Sequence, residues 1–379
     1  MLIKNQQEEK ICIALLGAAN SIHMQRWANG LALLGLDVHL ITAHDVMPGI
    51  NQTIKVHRLQ YSAPWAYLLS ATEIENYLAV IKPDLLNVHY ATGYGLLARR
   101  VGFQPTLLSV WGSDVYDFPE KSALHRWLVR SNLQSAAAVA STSECMARRT
   151  SLVGSPKQLF VTPFGVDESL FKPAPPGEKR GEVVIGTVKT LSKKYGIDVL
   201  IRAFALAAKE LEVSTELSLE ITGTGPEEAA LKELVVQLGI SSAVTFHGAV
   251  PHARVPEMLQ RLDIFAALSR DDSESFGVAA VEAAACGLPV VVSDADGLAE
   301  VTLQGKTGFV VPKRDPQAAA SAFVQLANNK ELRQTLGAAG RQHFLRHYTW
   351  NQSLDTMIAA YQTVISEHSA MQGTKNESA

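Results

Sequence analysis

Cysteine is scarce in this chain. The three present, Cys12, Cys145 and Cys286, are isolated and odd in number, which excludes a disulfide framework and a cysteine-based metal cluster and fits a reducing compartment. Long apolar runs are missing as well. The most apolar stretch, 278–292, is interrupted by Glu282 and Pro289 and falls short of the roughly 20 residues a membrane-spanning helix needs. Neither sign of charge dominates: 34 Lys and Arg stand against 37 Asp and Glu, a net charge of -3, so a nucleic-acid partner, which asks for a basic domain, is not expected. No internal repeat of solenoid period is visible. The opening MLIKNQQEEK carries two acids where a secretory leader has a basic and apolar start. Export is therefore not expected, and the chain reads as cytoplasmic, with association at the inner face of a membrane left open.

What is present points to two globular domains. The 379 residues are 47% hydrophobic and 19% charged, enough for more than one core. Short β-branched runs alternate with helical patterns: ICIALLG, a helix over about 21–35, DVHLIT, a helix near 74–81, DLLNVHY and TLLSVWG. Such alternation predicts an α/β fold with a parallel sheet covered on both faces. At Pro163 it breaks into PFGVDESLFKPAPPGEKRG, whose Pro, Gly and charge read as a linker over 163–181. It then restarts with VVIGTV, LSLEITG, AVTFHG, DIFAAL and PVVVSD, so 1–162 and 182–349 are expected to be two doubly wound, Rossmann-like domains. The final helix is expected over about 350–367, with 368–379 as a disordered tail. Residues 1–162 hold 14 Lys and Arg against 11 Asp and Glu, net +3, and the remainder is net -6. The N-terminal half is thus the one to meet an anionic surface or substrate.

Ligands of open α/β sheets sit at the carboxyl ends of strands, where loops and helix N-termini supply unpaired amides. The segment DDSESFGVAAVEAAACGLP has that form. Glu274 precedes a helix, Ser275, Phe276 and Gly277 make the turn, and the amides of Phe276, Gly277 and Val278 would face an anion. Glu282 lies inside the helix among Val278, Ala279, Val281, Ala283 and Ala285. A buried acid there needs a hydrogen-bonding partner; the two hydroxyls of a ribose suit it, and Glu274 is set to meet a sugar hydroxyl. GTGPEE lacks the third glycine of a dinucleotide fingerprint, which disfavours a dehydrogenase.

This segment resembles the E-x7-E signature of family 4 glycosyltransferases, retaining enzymes of the GT-B fold. FGVDESLFKP, ITGTGPEEAAL, VTFHGAV and DGLAEVTLQGKTGFVVP are similar to further motifs of that family in the same order. The resemblance implies two Rossmann-like domains facing a cleft, with the C-terminal helix crossing back to the first. It also implies a basic pair for the donor diphosphate after the first strand of the second domain. Lys189 and Lys194 in GTVKTLSKKYGID have that spacing, with Lys in place of the usual Arg, Tyr195 in place of the usual Gly, and Lys193 as a competitor. Lys189, Lys194 and Glu274 are the expected catalytic groups. Gly17, Gly223, Ser275, Phe276, Gly277, Val278 and Glu282 are the expected donor-binding groups. Asn20, His23, His89 and Asp114 are expected on the acceptor side. SVWGSDVYD resembles the family's "t.HG.D", but Trp111 stands where a His is usual.

The chemistry implied is transfer of a sugar from a nucleotide-diphosphate donor to a hydroxyl acceptor with retention, without a covalent enzyme nucleophile, cofactor or metal. The implied acceptor is a lipid-linked or growing saccharide of an envelope polysaccharide. The basic and aromatic segment LHRWLVR, with His125, Arg126, Trp127 and Arg130, could lie on anionic lipid or could be a solvated helix anchored by Trp127. A GT-B nucleotide-sugar epimerase and a non-catalytic nucleotide-sugar-binding subunit are the alternatives.

Overall fold

The computed structural model describes residues 10–175, 181–211 and 216–377. Residues 1–9, part of the segment on which the export expectation rests, 176–180 of the expected linker and 378–379 of the expected tail lie outside them. The chain divides into two compact units, one formed by Met1–Thr162 with Leu354–Ala379 and the other by Pro163–Ser353.

In the first unit β1 (Cys12–Leu16), β2 (Asp37–Thr42), β3 (Lys55–Arg58), β4 (Leu85–His89), β5 (Thr106–Ser109), β6 (Ala138–Ser141) and β7 (Leu159–Val161) form one parallel sheet. Its order is β3-β2-β1-β4-β5-β6-β7. In the second, β8 (Glu182–Val188), β9 (Glu216–Thr222), β10 (Val244–Gly248), β11 (Ile264–Ala267), β12 (Val290–Ser293) and β13 (Gly308–Val311) form a parallel sheet in the order β10-β9-β8-β11-β12-β13. Helices cover parallel strands on both faces, so central strands are apolar without alternation. Ile13, Ala14, Leu15 and Leu16 are all fully buried.

The helices follow local rules. Ser143 accepts the Met146 N–H at 3.2 Å to open Glu144–Gly154, and Asp315 accepts the Ala318 N–H at 2.9 Å with Pro316 at the first helical position. Ile197–Glu210 and Pro316–Asn328 bury Leu200, Phe204, Phe323 and Leu326 in the second core. Strands β3, β6, β7 and β13 were not foreseen. Each has only three or four residues, too few to show a period, and their strand character comes from the neighbours they pair with.

In each sheet the chain builds outward on one side of a central strand and then returns to build on the other. The reversal falls between β1 and β4 in the first unit and between β8 and β11 in the second. At such a point the loops leave in opposite directions and open a crevice at the carboxyl ends of the strands.

Two sequence expectations need correction. Residues 163–175 are part of the second unit and not a free connection: Phe164, Val166 and Phe171 are buried. Val166 exchanges backbone bonds of 2.9 Å with Tyr348 and Trp350. Pro and Gly marked an irregular path, but the apolar residues among them have a core to join. The tail is also not disordered where it is described, because one helix runs Trp350–Glu377. Its residues from Leu354 on belong to the first unit, where the Tyr361 hydroxyl donates to Asn87 Oδ1 at 2.7 Å. A helix already nucleated adds one bond per residue at little cost, and the polar segment after 367 contains no proline to stop it. Among the described residues, no helix is long and apolar enough to cross a membrane.

Candidate functional site

All the expected donor residues but Gly17 belong to the second unit; Gly17 lies in the first, beside His89. Lys189 follows β8 directly, and its N–H donates to the Thr222 carbonyl at the end of β9, 2.9 Å away. Gly223, at φ +135°, packs against this turn so closely that a β-carbon would come within 1.9 Å of the Lys189 carbonyl oxygen. Only glycine fits there. From the loop after β11, on the other side of the reversal, the Glu274 carboxylate reaches the Lys189 ammonium at 2.6 Å, and both side chains are largely buried. Burial alone would depress the lysine; Glu274 first, then Tyr195 and Glu282, outweigh it and hold the ammonium above its ordinary pKa. Lys189 is therefore a fixed positive charge.

Lys194 arrives by a different route. It lies in the 3-10 turn Lys193–Tyr195, and its carbonyl accepts the Arg270 N–H at 2.7 Å, which ties the turn to the loop after β11. The ammonium groups of Lys189 and Lys194 lie 4.5 Å and 4.9 Å from the centre of the Tyr195 ring. The tyrosine that departs from the usual glycine thus joins the two cations. Lys193, the competitor, is exposed. Among the described residues Lys194 is in no ion pair, so it is the cation available to an incoming anion.

The turn before the helix Val278–Ala285 has Ser275 and Phe276 buried, Gly277 at φ +82° and Val278 partly buried. The opening amides of a helix have no acceptor within it, so this end carries partial positive charge. What shapes the turn is Gly297, which the sequence did not single out. Its N–H donates to the Glu274 carbonyl at 3.1 Å, and a β-carbon on it would come within 2.2 Å of the Phe276 nitrogen. Glu282 is buried as expected, but it has a partner in the protein: His252 Nε2 is 3.1 Å from Glu282 Oε1. The need of a buried acid for a ligand therefore cannot carry its assignment. What ties it to the site is its place in the helix Val278–Ala285, which opens directly after the Glu274 turn. His252 follows the VTFHGAV motif, and its position there was the one available signal.

The first unit has a second cluster at its own reversal point. Gly17 follows β1 and abuts the His89 β-carbon and Met24, where a β-carbon would fall 2.1 Å from Met24 Cε. His89 ends β4, fully buried, with neither ring nitrogen hydrogen-bonded, and burial pushes its imidazole down to about 3. Trp111 lies against it at 5.1 Å between ring centres and against His23 at 5.9 Å. Asp114 is buried and accepts the N–H groups of Ala91 (2.8 Å), Gly112 (2.9 Å) and Trp111 (3.1 Å). Burial holds its carboxyl above the usual range although these amides pull it down. Asp114 thus binds the loop after β4 to the loop after β5 and seats Trp111. Asn20 is exposed on the turn before the first helix.

Profiles of two families match the chain: "Glycosyl transferase 4-like" over residues 12–143 and "Glycosyl transferases group 1" over residues 169–343. A D-inositol 3-phosphate glycosyltransferase of Jonesia denitrificans is 34% identical over 252 residues. These are 60% of this chain and 57% of that protein, so the chain spans little more than half of that relative's length. A GDP-mannose-dependent alpha-(1-6)-phosphatidylinositol monomannoside mannosyltransferase of Mycolicibacterium smegmatis is 30% identical over 270 residues, 68% of this chain and 69% of that protein. This chain belongs to the glycosyltransferases. The glycosyltransferase is similar in structure to Anabaena HepE in complex with UDP and glucose, with a TM-score of 0.78 over 93% of this chain and 100% of that one, at 17% identity. That likeness is one of fold. The two α/β units of this glycosyltransferase are those of GT-B.

Proposed function

We propose that the protein transfers a sugar from a nucleotide-diphosphate sugar to a hydroxyl acceptor, with retention of the anomeric configuration. The observation that carries this reading is the pairing of Lys189 with Glu274 across the β8–β11 reversal, with Lys194 on the same tyrosine. Two cations and a helix N-terminus in a crevice of an open sheet suit a diphosphate. As the bond from the anomeric carbon to the phosphate oxygen breaks, its electron pair moves onto the diphosphate, where Lys189 and Lys194 stabilise the growing charge. The acceptor oxygen bonds to the anomeric carbon on the same face, and its proton passes to the departing phosphate oxygen. Glu274 orients Lys189 and meets the transferred sugar; Glu282, held by His252, takes the ribose hydroxyls. With two lysines on the diphosphate, a divalent ion is redundant.

On the acceptor side, neutral His89, buried against Trp111, backs the position that the acceptor would take. His23, Asn20 and the Gly17 turn border that position, and Asp114 seats it. The mannosyltransferase relative is named for GDP-mannose and a phosphatidylinositol mannoside, and HepE was solved with UDP and glucose. They support a nucleotide sugar as donor and a lipid-linked or growing saccharide as acceptor; placement of the enzyme at the inner face of a membrane is our own extension of that reading. The test incubates the protein with UDP-, GDP- and ADP-sugars, with and without saccharide acceptors, and follows nucleotide release and product mass. Acceptor-dependent release with a glycosylated product is expected. Conversion of the donor sugar without acceptor would make the protein an epimerase, and binding without turnover would make it a non-catalytic subunit.

A further inference from the structure

At the amino ends of the first sheet's strands, three side chains with metal-binding atoms converge. Cys12 and Asp37 are register partners at the starts of β1 and β2, and His39 follows two residues later on the same face of β2. The Cys12 sulfur, an Asp37 carboxylate oxygen and a His39 ring nitrogen all lie within 4.8 Å of one another. Asp37 Oδ2 and His39 Nε2 are 3.6 Å apart. Ligand bonds of about 2.0–2.3 Å in a tetrahedral zinc site put neighbouring ligand atoms about 3.4–3.6 Å apart, so the three need shifts of about 1 Å to close on one ion. Cys12 and Asp37 are partly exposed and His39 is buried, which gives an ion a way in and one anchored ligand. Isolated cysteines exclude a cluster of thiolates, but a mixed site asks for a single one.

The neighbours prepare this place for a cation. From β3, Lys55 Nζ lies 3.0 Å from both Asp37 oxygens and 3.3 Å from His39 Nε2. An ammonium only donates, so His39 Nε2 is an acceptor and its Nδ1 carries the proton. That proton goes to His57 Nε2, 2.9 Å away, with the two rings parallel to within 2°. Metal-binding histidines are held in this way, the second nitrogen donating to a fixed acceptor. The Nε2 lone pair thus faces a position where Lys55 already supplies positive charge. The lysine side chain is 56% exposed and can leave for solvent when a divalent ion arrives. Asp84 Oδ2 accepts the Cys12 N–H at 2.7 Å, which adds a second carboxylate beside Cys12. A thiolate and an imidazole favour zinc over magnesium and calcium, which take sets of oxygens.

We propose that Cys12, Asp37 and His39 bind a zinc ion, with His57 orienting His39 and solvent as the fourth ligand. Binding releases the Cys12 proton to solvent and frees Lys55 from Asp37. The ion ties β1 to β2 at the strand ends opposite the crevice of that sheet, so it serves the stability of the first unit and not sugar transfer. Its test therefore needs no sugar donor. The full chain, stripped with a chelator, is titrated with zinc against a chromophoric chelator and with cobalt, whose thiolate complexes absorb in the near ultraviolet. Equimolar zinc binding, a thiolate-to-cobalt band and a Tm that rises with zinc are expected; magnesium should do none of these. Cys12→Ser should remove both the band and the rise in Tm. His57→Phe should weaken zinc binding by about 10–100-fold, the range for loss of an orienting partner. Lys55→Gln should tighten it, a gain that misfolding does not produce. Cys286→Ala should leave it intact. Four results would overturn the proposal: a Tm indifferent to zinc, cobalt binding without the thiolate band, zinc binding that survives Cys12→Ser with His39→Gln, or a Lys55→Gln variant that binds zinc no more tightly than the parent.

Discussion

His89 ties stability to pH in a way that can be calculated. Its imidazole is fully buried, makes no hydrogen bond, and is pushed from 6.5 to about 3 by burial alone. Below the unfolded value the unfolded chain binds a proton that the native state refuses, so stability falls as pH drops. The loss begins near pH 6.5 and ends near pH 3. At about 1.4 kcal/mol per pH unit, this one residue removes roughly 3 kcal/mol on going from about pH 7.5 to about pH 4.5. His89→Phe deletes the titration, and it breaks no hydrogen bond because there is none to break. Carboxylates titrate in both proteins and cancel in the difference between them. Urea denaturation followed by tryptophan emission is the assay; Trp27, Trp65, Trp111 and Trp127 belong to the first unit and Trp350 to the second, so emission chiefly reports the unit that contains His89. The variant should lose roughly 3 kcal/mol less than the parent over that range. Parallel pH profiles for the two proteins would refute the reasoning and would mean that His89 finds a partner or water in solution.

Other outcomes follow from the donor site. Lys189→Ala or Lys194→Ala should lower kcat by about 100-fold or more, measured by nucleotide release with the best donor; near-normal turnover in both would remove them from the diphosphate site. Glu282→Gln should weaken a ribonucleotide donor more than its 2′-deoxy analogue, whereas His252→Ala should weaken both by similar factors, since it only steadies the acid. A coupling energy near zero in the Glu282 cycle would leave that residue with a structural role. EDTA should leave activity largely intact; full loss restored by Mg²⁺ or Mn²⁺ would mean that the lysines do not suffice. Gly297→Ala should lower both Tm and donor affinity, because a methyl group has no room beside Phe276. A variant that binds donor normally would show that the turn yields without harm.

Much of this protein is written locally. Apolar runs of four to seven residues followed by Gly, Asp or Ser turns mark where strands end, and strand ends are where Lys189, Glu274, Gly17 and His89 stand. The helix after Gly277 and the spacing of the lysines are likewise short-range features that the order of residues specifies. Partners are different. That Glu274 meets Lys189, that His252 rather than a ligand alone satisfies Glu282, and that Asp114 is consumed by three backbone amides all depend on which strands lie side by side. Local pattern says that a strand will form, not which neighbour it takes, because any apolar parallel strand can pair with any other at similar local cost. The choice is made by packing crossover helices over the whole sheet. It is the resulting reversal between β1 and β4, and again between β8 and β11, that turns scattered residues into two crevices. The same holds for residues 163–175 and 368–377: composition marked them as linker and tail, but the fold supplied a core for the first and an established helix to extend for the second.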